Sequence, residues 1–217
     1  VGFFDFSKKD YKEIPSDTTS LVSNYKEIFT FRNIIFFSIL FLIVFIEQGF
    51  NSWLPLFHKE NLGVNSFYAL QSASFLALFS FVGRVLTSKL ITKINWWIYI
   101  STAIIGGITL MVIIQLLIGN ISKNLTILLF ILPLLGLFLS PLYPLYNSKF
   151  LINLEREKIN IFISLIVIFS SLGGSFGSLM MAHVFEYSLG DYFILFSLLP
   201  LLLIFIMSFF FIRKKAD

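Results

Sequence analysis

Apolar residues run almost without a break from Arg32 to Ile212, and only short polar turns divide them. A bilayer core roughly 30 Å thick is crossed by about 20 apolar helical residues. The pattern therefore predicts six membrane-crossing helices, at 33-57, 66-90, 96-118, 125-148, 159-185 and 190-212. No stretch predicts a β-strand, so the expected class is an all-α membrane protein.

The loops between these runs alternate between rich and poor in Lys and Arg. One side receives Lys8, Lys9, Lys12, Lys26 and Arg32, then Arg84, Lys89 and Lys93, then Lys149, Arg156 and Lys158, and finally Arg213, Lys214 and Lys215. Only Lys59 and Lys123 fall on the other side, so 14 of the 16 basic residues share a face. Positive loops resist translocation, which predicts that both chain ends are cytoplasmic. The particular membrane is not encoded in this pattern.

Composition sharpens this picture. With 57% hydrophobic and 13% charged residues and a mean hydropathy of +0.89, the chain has too little polar surface to wrap a water-soluble globule. The net charge of +4 is spread over short loops rather than gathered in one patch, which points to a lipid bilayer as partner and away from nucleic acid. Zero cysteines and two histidines leave neither disulfides nor a plausible metal-ligand set, and no cofactor is expected.

Residues 1-31 read as a cytoplasmic linker or tail, 32-212 as the six-helix bundle and 213-217 as a second cytoplasmic tail. The opening residues Val1-Gly2-Phe3-Phe4 are apolar, and a polar stretch follows through Pro15, Ser16, Asp17 and Thr18 to Asn24. That order is expected of a connection leading from an upstream membrane domain. A flexible tail on a six-span protein is the alternative.

Polar groups inside apolar spans are costly and mark sites of use. In the first span Glu47, Gln48, Asn51 and Ser52 occupy an arc of about 140° on one helix face, and Pro55 deprives the Asn51 carbonyl of its amide partner. In the fourth span Gly136, Ser140, Tyr143 and Asn147 fall within about 60° of one another. Pro133, Pro141 and Pro144 release the carbonyls of Leu129, Leu137 and Ser140 and make that helix bendable. Two assignments compete for each stripe. Either it borders a solute or proton pathway, or it is packing glue, with Glu47 protonated against a neighbouring helix and Tyr143 and Tyr146 at the headgroups.

The fifth span is rich in small residues. Gly173 with Gly177, and Gly174 with Ser178, have the spacing that lets helices meet closely, so this span is expected to serve helix packing. Gly173-Gly174-Ser175-Phe176-Gly177 also spells the G-x-S-x-G of a nucleophile elbow, but an elbow needs a strand before it. Ser175 and His183 stand about 12 Å apart along one helix, out of hydrogen-bond reach. No catalytic constellation emerges, and the chain is not expected to be an enzyme.

Several of these positions carry a resemblance. Glu47, Phe50, Trp53-Leu54-Pro55, Leu62-Gly63, Ser74-Phe75 and Gly83-Arg84 resemble the seventh and eighth spans of the fucose-galactose-gluconate permease branch of the major facilitator superfamily. Gly136-Leu137-Phe138-Leu139-Ser140-Pro141-Leu142-Tyr143-Pro144 and Leu172-Gly173-Gly174-Ser175 resemble its tenth and eleventh spans. The resemblance covers residues 32 to 212. It implies that the six helices are one half-bundle, helices seven to twelve, of a transporter fold whose N-terminal six-helix half is the missing partner.

The resemblance further implies symport of a small-molecule solute, such as a sugar, by alternating access. Glu47, Gln48, Asn51, Gln71, Ser140, Tyr143 and Asn147 would line its path, and Gly83 and Arg84 would gate the cytoplasmic side. The branch's coupling acids lie mostly in the other half. An ordinary snorkelling arginine is the alternative for Arg84. A noncatalytic six-helix scaffold or receptor that transports nothing is the alternative for the whole.

Overall fold

In hydrocarbon no water is available to the backbone, so each apolar run must satisfy its own amides, and a helix does so within one segment. The computed structural model describes residues 30–120, 125–152, 154–187 and 189–213. Of the linker expected over 1-31 and the tail expected over 213-217, residues 1–29 and 214–217 lie outside the described residues, as does Lys123, while Phe31 and Arg213 belong to helices. Six helical spans are long and apolar enough to cross a membrane. They are α1 (Phe31–Glu60), α2 (Ser66–Leu90), α3 (Trp96–Asn120), a fourth span in three pieces, α7 (Arg156–Glu186) and α8 (Phe193–Arg213), the last preceded by a 3-10 turn at Gly190–Tyr192.

The turns are set by local chemistry. Gly63 takes the left-handed conformation, φ 63°, that side chains resist, and the Val64 amide returns to the His58 carbonyl at 3.0 Å. Asn65 then caps α2 by accepting from the Phe67 amide at 3.0 Å, and Asn95 caps α3 by accepting from Trp97 at 3.0 Å. Each cap satisfies an amide that the first helical turn leaves without a partner.

The fourth span departs from the continuous helix expected over 125-148. It comprises α4 (Leu125–Ile131), α5 (Leu135–Leu139) and α6 (Leu142–Leu151). Between α4 and α5 the amides of Leu134, Leu135, Gly136 and Leu137 bond three residues back, at 3.0–3.2 Å, so the helix tightens to 3-10 geometry where Pro133 cannot donate. Pro141 and Pro144 divide α5 from α6. Single prolines do not have this effect here, since α1 continues through Pro55 and α8 through Pro200.

Helix α1 is the hub. It packs most extensively on α7, and also on α8 and α2, while α2 lies on α5 and α3 on α5 and α8. Lipid tails are as apolar as the side chains, so contact between helices depends on close fit. A Cβ on Gly173 or Gly177 would collide with the carbonyl oxygen of Phe41 or Phe45, whereas one on Gly174 meets only side chains at 3.4 Å or more. The α2–α5 seam is reciprocal. A Cβ on Gly83 would lie 2.7 Å from the Leu137 oxygen, and one on Gly136 2.8 Å from the Leu76 oxygen.

Phenyl rings fill both ends of the bundle. Phe36 stacks on Phe150 at 3.7 Å and Phe37 on Phe162 at 6.0 Å, which brings the start of α1, the end of α6 and the start of α7 to one end. At the other end Phe50 and Phe57 pack on Phe193 at 5.0 and 5.2 Å. Tyr146 faces the interior, fully buried and sharing a hydrogen bond with Ser208 of α8, which counts against the alternative that set it at the headgroups. His58 lies in the last turn of α1, buried, with Nδ1 2.9 Å from the Leu54 oxygen.

Candidate functional site

The two least enclosed spans are the second and the fifth, and their exposed surfaces differ in kind. Most exposed side chains on the bundle are aliphatic or aromatic, as lipid contact requires. One strip of α7 is not. Ser170, Ser171, Gly174, Ser175 and Ser178 recur at spacings of one, three, one and three residues and form one small, polar face, of which Ser171 and Ser175 are exposed, Ser170 and Ser178 half-buried and Gly174 buried.

That face is one wall of a cavity of about 800 Å³. Val44, Glu47 and Gln48 from α1 form a second wall, Tyr143 and Pro144 from α6 a third, and Arg84 reaches in from α2. A volume of this size accommodates a small organic molecule.

In and around the cavity the polar groups pair in separate small sets. Arg84 donates from Nη2 to Glu47 Oε1 at 3.0 Å. Its Nε donates to the Ser140 carbonyl at 3.4 Å, which is the carbonyl that Pro144 deprives of an amide. Ser170 donates from Oγ to the Tyr143 hydroxyl at 3.1 Å, linking α7 to α6. Gln48 donates to Ser52 at 3.3 Å, and the Trp53 indole donates to the Ser178 carbonyl at 3.0 Å. Proline chemistry in the fourth span and the arginine of the second thus meet at one atom.

The structure brings together only some of the positions expected to line a solute path. Glu47, Gln48 and Tyr143 share the cavity. Asn51 and Ser140 lie in a small recess beside it, which also includes Glu47. There Ser140 is buried and donates to the Ser80 carbonyl at 2.8 Å. Asn147 is half-buried, and its Oδ1 has no hydrogen-bond partner. It does not line this cavity.

Gln71 belongs elsewhere, in a cavity of about 610 Å³ with Tyr68, Phe75 and Phe130. Thirteen residues separate it from Arg84, which turns the two about 140° apart around α2. Gly83 and Arg84, expected to work together at the inner end, also diverge. Gly83 is pressed against α5, whereas Arg84 reaches the cavity and pairs with Glu47.

The pattern was least complete on α7. Gly173 and Gly177 pack against the α1 backbone, and Gly174 and Ser178, read as a second packing pair, adjoin Val44, Gln48 and Trp53 of α1 while also lining the cavity with Ser170, Ser171 and Ser175. The signal was present in the spacing of the serines, and the glycines interleaved with them masked it. Ser175 looks into the cavity while His183, exposed near the far end of α7, does not line it.

A family-level comparison bears on what this arrangement is. The family model of the Major Facilitator Superfamily matches residues 5–178. Comparisons with curated proteins and with solved structures return no match. The match spans most of the chain and agrees with six membrane-crossing helices around a polar cavity, so this multi-pass membrane protein belongs to the major facilitator superfamily.

Proposed function

We propose that the chain forms one half of the path by which a small, neutral, polyhydroxylated solute, such as a sugar, crosses the membrane. Membership of the family implies transport of a solute across a membrane. The observation that carries the finer reading is the uncovered polar wall itself. Hydroxyls of Ser171 and Ser175 stand exposed on a helix whose other exposed residues include Leu172, Phe176 and Leu179. Lipid cannot satisfy such hydroxyls, so this wall faces water, a solute or another protein surface.

In this reading the opposing surface is an N-terminal six-helix bundle, and the two bundles rock about the cavity so that it opens to either side in turn. The broken fourth span supplies a flexible wall. Glu47 and Arg84 neutralise each other, so the wall offers donors and acceptors without net charge. Serine hydroxyls, the Tyr143 phenol and the Gln48 amide suit a ring of solute hydroxyls better than they suit an ion. The resemblance to sugar permeases points the same way, and the bias of basic residues to one set of loops supports a cytoplasmic side for both chain ends.

The test is uptake by the full-length protein reconstituted in vesicles, across a panel of sugars, polyols and organic acids. Saturable uptake of a sugar or polyol is expected. Uptake restricted to organic anions would overturn the neutral-solute assignment, and a protein that moves nothing in any condition would favour a scaffold.

A further inference from the structure

A second polar recess lies at the basic end of the bundle, remote from the solute cavity. It encloses about 170 Å³ and is lined by Arg32, Asn95, Trp96, Trp97, Lys149 and Phe211, among others. Among the described residues, no acidic side chain lines it. We propose that this recess binds the phosphate headgroup of an anionic phospholipid.

Three observations support the assignment. The Arg32 Nε is buried and has no hydrogen-bond partner among the described residues, a donor that a phosphate oxygen satisfies. The cations sit against rings: Arg32 Cζ lies 5.4 Å from the Phe211 centroid, and Lys149 Nζ 5.8 Å from that of Trp96. Stacking fixes both charges at the rim of one small space. Trp96 donates its indole N–H to the Leu145 carbonyl at 3.2 Å, so the aromatic wall is anchored to α6.

Position decides between a lipid and a free phosphate ion. The recess lies where α1 and α3 begin and where α6 and α8 end, at the depth of headgroups, where tryptophan is favoured. Basic pockets between transmembrane helices at that depth hold acidic lipid heads. A phosphate tethered to acyl chains keeps its glycerol against Trp97 and Phe211, a contact that the free ion lacks.

Retention of lipid by the purified full-length protein, read by native mass spectrometry after exposure to phosphatidylglycerol or phosphatidylcholine, tests this directly. Wild type is expected to retain phosphatidylglycerol in preference to phosphatidylcholine, and Arg32→Gln to bind it about five-fold more weakly. Arg32→Lys should recover part of the difference, and Lys59→Gln, at the opposite end, should behave as wild type. Should Arg32→Gln fail to fold, thermal unfolding of wild type decides, because phosphatidylglycerol must then raise the midpoint above that in phosphatidylcholine. Equal retention of the two lipids, an equal midpoint in both, or full competition by millimolar inorganic phosphate would each overturn the proposal.

Discussion

Arg84 and Glu47 lie 37 positions apart on different spans, yet their side chains pair at 3.0 Å inside the cavity. Their side chains are 54% and 24% exposed respectively, so water and ions screen the pair and its contribution to stability is at most about 1 kcal/mol. Its effect belongs to function. Glu47→Gln and Arg84→Gln should each lower uptake by about tenfold or more, equivalent to about 1.4 kcal/mol. The double variant should lose no more than the worse single, as coupled residues do. Initial uptake rates over a range of pH measure this, and unchanged kinetics in Glu47→Gln would remove Glu47 from the mechanism.

The Ser140 carbonyl receives the Arg84 Nε at 3.4 Å because Pro144 has no amide to offer it. Pro144→Ala restores a helical donor to that carbonyl, which would then compete with Arg84. The variant should be at least as stable as wild type while its uptake falls severalfold. Thermal midpoint and transport measured on one preparation separate the two effects, and a fully active Pro144→Ala would show that the freed carbonyl is incidental.

Close approach of α7 to α1 depends on glycine at two positions and not at a third between them. Gly177→Val should destabilise the bundle by about 1–3 kcal/mol, since overpacking shifts backbone. Gly174→Ala should cost far less, its new methyl meeting side chains at 3.4 Å or more. Thermal unfolding in detergent compares them, and equal losses would contradict the packing described.

The architecture was legible because lipid imposes a simple code. Lengths of the apolar runs place α1, α2 and α3 within a few residues of where they lie. The break in the fourth span was only half legible. Pro133, Pro141 and Pro144 announce freed carbonyls, but whether a helix bends or divides depends on what meets those carbonyls, and Gly83 and Arg84 come from another helix.

The site was legible where polar residues recur on one face of an apolar run. Glu47 with Gln48, and Tyr143, are of this kind. Gln71 looked equivalent along the chain, yet helical rotation turns it to a different cavity. The serines of α7 were obscured for the opposite reason, since small polar residues serve packing as readily as solvation and only the neighbouring helices reveal which.

Loss of one hydroxyl from the Ser170–Tyr143 pair should be felt mildly. Tyr143→Phe removes the acceptor that Ser170 meets at 3.1 Å, a change of about 1 kcal/mol. Solute affinity should fall about five-fold with little change in thermal midpoint. An unaltered affinity would take Tyr143 off the solute path.

Because the sequence has no cysteine, single thiols can be placed in it and probed with a membrane-impermeant reagent, in a full-length background free of other reactive thiols. Ser175→Cys, on the cavity wall, and Phe176→Cys, its exposed neighbour outside the cavity, differ by one position. The cavity account predicts rapid labelling of Ser175→Cys, slowed by transported solute, and none of Phe176→Cys. Labelling of Phe176→Cys with Ser175→Cys inert would contradict it.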